Sequence, residues 1–322
     1  IMRLRKWIFS SLLILILVAA IGCQSVGYYK QAVSGQLQML SNQKPLSELI
    51  ADAKTDPELK RKFCLILSLR DYAEENLGLA AGKRYLSYVD LHRSNAVWNV
   101  NVAPEFSLEP KSWWFPIVGS VTYRGYFSEA AAEKYAKKVR AQGDDVYVGG
   151  VDAYSTLGWF DDPVLNTFIE DSDRQLASLI FHELAHERLF ISGDTEFNEA
   201  FATAVAEEGL QRWLKEKNDP VALEKYHAEL QRKKLFIDLV QETRRKLEAV
   251  YEKIPADLSP DAGRQQKETI LNQMRVDYAQ LKKEWNGYTG YDDWFDGPLN
   301  NAQLNTVATY YDLVPVFQKM IE

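Results

Sequence analysis

The chain has 322 residues, 46% of them apolar and 26% charged, with a formal net charge of −7. That composition excludes collagen-like, low-complexity and disordered chains, and a single long apolar run excludes a polytopic membrane protein. The acidic balance and the lack of a basic patch argue against nucleic acid as a partner, and the length suits one large domain or two ordinary ones.

The N-terminal segment reads as an address. Arg3, Arg5 and Lys6 precede an apolar stretch over residues 7–21, and Gly22 and Cys23 follow. A basic start, a short apolar core and a small residue before a cleavage point form a secretory signal pattern. The run is short for a spanning helix and lacks a charged far flank. Ala20-Ile21-Gly22-Cys23 resembles a bacterial lipobox, with Ala20 where Leu is more usual. The resemblance implies a signal peptide over 1–22, lipid on Cys23, and, because Gln24 rather than Asp follows, an outer-membrane protein facing the periplasm. An uncleaved anchor is the other reading. If Cys23 carries lipid, Cys64 is left alone, so an internal disulfide is excluded even in an oxidising compartment. Cys64 lies in the apolar run Phe63-Cys64-Leu65-Ile66-Leu67 and is expected to be a buried small hydrophobe.

Further along, Asp56-Pro57-Glu58 starts a helix that should run to about Asn76, where Gly78 stops it. Residues 96–102 and 120–127 alternate and are rich in Val, Tyr and Trp, so they read as strands. Ser128 caps a helix over 129–140 that ends near Gly143. Residues 146–160 contain a further strand with Gly149-Gly150, and helices are expected over 171–190 and 195–215. Residues 219–290 are highly charged, and Pro255, Pro260 and Gly263 break them into a helical hairpin, either an interaction arm or a solvated subdomain. Residues 291–322 regain apolar and aromatic character and should return to the core formed by 23–218. No internal repeat is present. The pattern is α+β with helices dominating and a small antiparallel or mixed sheet.

His182-Glu183-Leu184-Ala185-His186 is an H-E-x-x-H motif. On a helix, positions i and i+4 differ by about 40° around the axis, so both imidazoles project from one face and suit a single zinc ion. Glu183 projects about 100° from His182, where it misses the metal and reaches the water beside it. The other reading is a pair of helix-face histidines holding acidic partners. A catalytic zinc wants a third protein ligand. Glu199, on the next expected helix, is the choice, with Glu196 one turn earlier as fallback. The intervening residues allow two packed antiparallel helices to share one ion, and the small Ala200 and Ala202 let them approach.

The motif followed by Asn198-Glu199-Ala200-Phe201-Ala202 resembles the gluzincin aminopeptidases, whose second motif reads N-E-G-F-A. The linker is shorter than in their main family, and the chain is more similar to a bacterial family of predicted, lipoprotein-type aminopeptidases. Tyr123-Arg124-Gly125-Tyr126-Phe127, Gly149-Gly150-Val151 and Asn300-Asn301-Ala302 also match that family. The resemblance implies a zincin-like metallopeptidase domain, one zinc per chain and a peptide substrate. In gluzincins a tyrosine often stabilises the oxyanion, which makes Tyr310 the candidate here, with Tyr311, Tyr288 and Tyr291 open. The gluzincin G-x-M-E-N strand binds the substrate backbone and amine; Gly149, Gly150 and Asp152 occupy the comparable place, Asp152 being equally readable as a turn residue, and Tyr154 and Arg124 are further pocket candidates.

The mechanism expected is peptide hydrolysis by zinc-activated water, with Glu183 as general base and then proton donor to the leaving amine. Aminopeptidase activity leads. An envelope zinc endopeptidase and a non-catalytic envelope lipoprotein retaining a zinc-binding fold are the alternatives. His92 and His227 have no ligand-like spacing.

Overall fold

The computed structural model describes residues 27–115, 119–153, 161–254, 256–311 and 313–321, without the side chains of residues 309 and 310. The signal segment 1–22, Cys23 and Tyr154 lie outside the described residues. The fold is α+β, mainly helical with small sheets.

Helix α1 spans residues 27–41. The short strand β1 (Lys44–Pro45) and helix α2 (Leu46–Ala51) follow. Helix α3 (Pro57–Leu77) starts and stops where its termini dictate. The Asp56 carboxylate accepts from the amides of Glu58 at 2.9 Å and Leu59 at 3.2 Å. Gly78 ends the helix at φ 65°, a left-handed conformation that costs glycine nothing. Phe63, Ile66, Leu69 and Ala73 form the buried stripe of α3. Cys64, one position round from Phe63, is exposed, which corrects the expected burial. A helix buries every third or fourth residue, so an apolar run overstates how many of its members reach the core.

Next come β2 (Ser87–Val89), β3 (Val97–Pro104), β4 (Trp113–Phe115), β5 (Gly119–Val121) and β6 (Tyr123–Tyr126). The strand read over 120–127 is thus two strands: β5 pairs with β4 in a hairpin, and β6 pairs with β3. Helix α4 (Glu129–Arg140) is capped by Ser128 and leads into β7 (Asp144–Val151). β3 is central in the antiparallel order β6-β3-β7, with Val100 opposite Arg124 on one side and Val148 on the other. Ala132, Ala136 and Val139 of α4 bury one face of this sheet against Trp98, Val100 and Val102. A second, mixed sheet joins β2 to β1 and to β8 (Val164–Leu165). Helix α5 (Asn166–Ile169) follows directly.

Two long helices form the centre of the molecule: α6 (Asp173–Arg188) and α7 (Thr195–Glu216). Ser172 and Gln175 close a reciprocal capping box on α6, and the Asp194 carboxylate accepts from the Phe197 amide at 3.0 Å to start α7. The main core joins Phe63, Ile66 and Leu69 of α3 to Ile180, Phe181 and Leu184 of α6 and to Ala202 and Ala206 of α7. Small residues permit the close approach: a Cβ on Gly209 would fall 2.8 Å from Leu77 Cδ1 and 3.0 Å from Phe181 Cδ2.

Helices α8 (Pro220–Tyr251) and α9 (Pro260–Glu284) pack side by side around Phe236, Val240, Leu247, Leu271 and Met274. Gly263, read as a breaker, lies inside the first turn of α9, where a Cβ would meet Ile254 Cδ1 at 2.4 Å. Its smallness serves packing rather than termination. Helices α10 (Asp292–Phe295), α11 (Asn301–Tyr311) and α12 (Val314–Ile321) complete the chain. Asn301 ties them to the sheet: its buried Nδ2 donates to the carbonyls of Pro104, Glu105 and Ser107 at 3.0–3.1 Å, and its amide donates to Asp145 at 2.8 Å. Among the described residues, no helix is long and apolar enough to cross a membrane.

Candidate metal centre

The six residues 189–194 turn the chain from α6 back into α7, so the two helices run antiparallel with His182 and His186 facing Glu199. Asn198 holds the turn: the Ile191 amide donates to Asn198 Oδ1 at 2.8 Å, and Asn198 Nδ2 donates to the Ile191 carbonyl at 2.7 Å. The helices that carry the candidate ligands are thereby joined at their shared end. The sequence marked Asn198 as a family match but gave it no role.

The side chains converge. His182 Nε2 is 3.2 Å from His186 Nε2 and 3.2 Å from Glu199 Oε2, and His186 Nε2 is 3.7 Å from the same oxygen. Zinc bonds of about 2.1 Å at tetrahedral angles hold neighbouring ligand atoms about 3.4 Å apart, so this spacing fits one zinc ion. The donor set fits too, with two imidazole nitrogens and one carboxylate oxygen. Among the described residues, these three form the one His/Cys/Asp/Glu group that could hold a metal, and Glu196 is not in it.

Burial, with His182 next to it, pulls His186 down to about 4, so its imidazole stays neutral, the form that ligates. His182 is pulled down by burial but raised overall by its contact with Glu199. Glu199 is pushed up by burial but lowered overall by the two histidines. Among the described residues, His186 Nδ1 is buried without a hydrogen-bond partner.

Glu183 is outside the triad, on the next face of α6. Burial pushes its carboxyl up to about 7; His182 opposes the shift, while the nearby Glu199, Asp162 and Glu187 charges support it. The facing segment is itself pinned: the Tyr85 amide donates to the Asp162 carbonyl at 2.7 Å, and Arg84 pairs with Glu187 at 2.6 Å. Tyr85 is fully buried and sits within the field of Glu183. Sequence reasoning missed Arg84, Tyr85 and Asp162, because no local pattern ties residues about a hundred positions earlier, or a loop residue before α6, to the face of that helix.

Lys233 of α8 is a second neighbour that sequence reasoning missed. Its Nζ lies 2.7 Å from Glu207 Oε1, two turns beyond Glu199 on α7, and 4.5 Å from the Tyr311 ring centre. Burial opposes the Lys233 charge, yet Tyr311 and Glu207 outweigh it and raise its pKa. The ammonium field reaches His182. Tyr310 belongs to α11, and its side chain lies outside the described residues.

The remaining candidates lie elsewhere. Gly149 and Gly150 are in β7. A Cβ on Gly150 would meet Asn95 Nδ2 at 2.4 Å, and one on Gly149 would meet Tyr147 Cε1 at 3.0 Å. Asn95 Nδ2 in turn donates to Asp152 at 3.0 Å, and Thr167 Oγ1 donates to the Asp152 carbonyl. These contacts tie the end of β7 to the segment before α6; none reaches the triad. Arg124 lies over the rings of Tyr28 and Tyr135 at 4.1 and 4.7 Å. His92 is on the surface beside Asp90, and His227 lies 3.1 Å from Gln211.

A family profile described as "Putative aminopeptidase" matches residues 27–322. The chain belongs to that family. Comparisons with curated proteins and with solved structures gave no match. The aminopeptidase family match includes α6, α7 and the C-terminal helices, so every residue of the triad lies inside it.

Proposed function

We propose that the protein is a zinc-dependent peptide hydrolase that releases N-terminal residues, carried on the cell envelope by lipid at Cys23. The observation that carries this reading is the convergence of His182, His186 and Glu199 within 3.2–3.7 Å, with Glu183 beside them, in a member of an aminopeptidase family.

His182 Nε2, His186 Nε2 and Glu199 would hold the ion. Zinc, when bound, supplies a Lewis acid that polarises a peptide carbonyl and acidifies water. Glu183 takes a proton from the attacking water and returns it to the leaving nitrogen, the two proton transfers that general acid–base catalysis of this step needs. A tyrosine of α11, Tyr310 or its neighbour Tyr311, donates to the developing oxyanion. The substrate backbone lies along the outer edge of β7, which among the described residues pairs only with β3. Asn300 Nδ2 reaches the Val146 carbonyl at 3.3 Å on that edge, and strand alternation turns the backbone of Val148 and Gly150 the same way. This is the part that Gly149, Gly150, Asp152 and Tyr154 were expected to play.

The test measures bound metal and hydrolysis in parallel. Elemental analysis should find about one zinc per wild-type chain and much less in Glu199→Ala. Free peptides should be cleaved, N-acetylated ones spared, and Glu183→Gln should keep zinc while losing about 10²–10⁴-fold in turnover. Cleavage of N-acetylated, internally quenched peptides would replace the aminopeptidase with an endopeptidase. Zinc without hydrolysis of any peptide would leave a non-catalytic envelope protein.

A further inference from the structure

Helix α1 has two faces of opposite use. At about 100° per residue, Tyr28, Gln31, Gly35 and Met39 fall on one side. Tyr28 meets the Tyr126 ring edge-on, and Gln31 accepts from the Phe127 amide at 2.9 Å. Gly35 lies against the Phe127 ring, and Met39 is buried in the main core. Tyr29, Val33 and Leu37 fall on the opposite side, 44%, 57% and 59% exposed. Their four-residue spacing makes a continuous apolar stripe, and no other element of the described chain covers it.

Three features favour a lipid surface as the occupant. First, Tyr29 is six residues beyond Cys23, so a fully extended link holds the stripe within about 22 Å of a lipid at that residue. Second, the first acidic residue of the chain is Glu48, although the chain as a whole carries a net charge of −7. A helix free of carboxylates, with Lys30 on it and Lys44 just beyond, is attracted to anionic headgroups where the rest of the molecule is repelled. Third, three side chains offer far less than the roughly 800 Å² per partner of a stable protein interface. They suit shallow insertion, with a tyrosine at headgroup level.

We propose that α1 lies flat on an anionic lipid surface, with Tyr29, Val33 and Leu37 entering the headgroup region and fixing the orientation of the metal centre above it. The inference rests on the tether reading but goes beyond it, because a tether alone leaves the body free to tumble.

The test uses the full chain, carrying an encoded environment-sensitive fluorophore in place of Leu37 or, separately, of the exposed Gln38, bound to phosphatidylglycerol vesicles. The expected result at position 37 is blue-shifted emission, quenching by nitroxide-labelled lipid and loss of quenching by aqueous iodide. Position 38, about 100° away, should stay open to iodide. A vesicle-bound chain whose position 37 stays open to iodide overturns the docking and leaves the tether standing. A chain that does not bind vesicles overturns both. Shielding from iodide without quenching by labelled lipid would assign the stripe to a second copy of the chain or another protein.

Discussion

Asn198 spends both ends of its side-chain amide on the backbone of a single residue, Ile191, seven positions earlier. Those two bonds join the start of α7 to the turn after α6 and set the spacing between Glu199 and His186. Asn198→Ala leaves the Ile191 amide without its partner, while the Ile191 carbonyl keeps only the Asp194 amide at 3.2 Å. It should cost about 1–3 kcal/mol in chemical denaturation and weaken zinc binding by competition titration. Asn198→Asp keeps the acceptor and should recover part of both. Unchanged zinc affinity in Asn198→Ala would show that the turn holds its shape without the clamp.

Gly209→Ala adds one methyl where α7 crosses Leu77 and Phe181. Overpacking of this kind costs about 1–3 kcal/mol. The midpoint of urea unfolding should fall with no change in slope. Gly287→Ala, where nothing lies within 4 Å of the added carbon but φ is 82°, should be destabilised by backbone strain instead, and no neighbouring truncation should relieve it. Leu77→Ala, by contrast, makes room for the methyl of Gly209→Ala, and the two costs should add to less than their sum.

Acid should unfold the start of α6 in a way that depends on Arg61. A bidentate contact with Arg61, assisted by Lys62, holds the Asp173 carboxyl below its usual range. A carboxyl more acidic in the folded than in the unfolded chain stabilises the fold at neutral pH, and that contribution is lost as pH falls through the folded value. Between about pH 5 and 3, wild type should therefore lose more stability than Arg61→Ala. The groups are partly exposed, so the difference should be small and shrink in high salt.

Lys233 and Glu207 should show coupling. Lys233→Met leaves a carboxylate with Gln318 as its remaining side-chain partner, at 2.7 Å. It should be more destabilising than the double variant that adds Glu207→Gln, because a lone buried charge costs more than no pair at all. A double-mutant cycle in thermal unfolding measures the difference. Additive effects would make the contact a solvated surface pair.

What was readable in the sequence was local. Caps translate directly into helix ends, which is why Asp56, Ser128 and Gly78 stand at the boundaries they imply. Helical periodicity is equally direct, so four-residue spacing alone put His182 and His186 on one face, and a short turn made Glu199 their partner. Burial was harder. The run around Cys64 hid which positions faced inward, and native-state alkylation of Cys64 should proceed readily. The β2–β8 pair involves two residues of each strand, too short for any period to register. Arg84, Tyr85, Asp162 and Lys233 reach the centre from distant elements, through tertiary packing that no spacing rule encodes.

The triad also has a kinetic corollary. Glu199 meets His182 across a separation of only 17 residues, whereas Asn301 meets Pro104 across 197. The entropy of closing a loop grows with its length, and contacts near in sequence form sooner. The hairpin of α6 and α7 can zip up and present its ligand cluster while the C-terminal helices are still undocked. Zinc captured at that stage would act as a nucleus for folding, so the refolding rate should rise with zinc concentration even where the native site is already fully occupied.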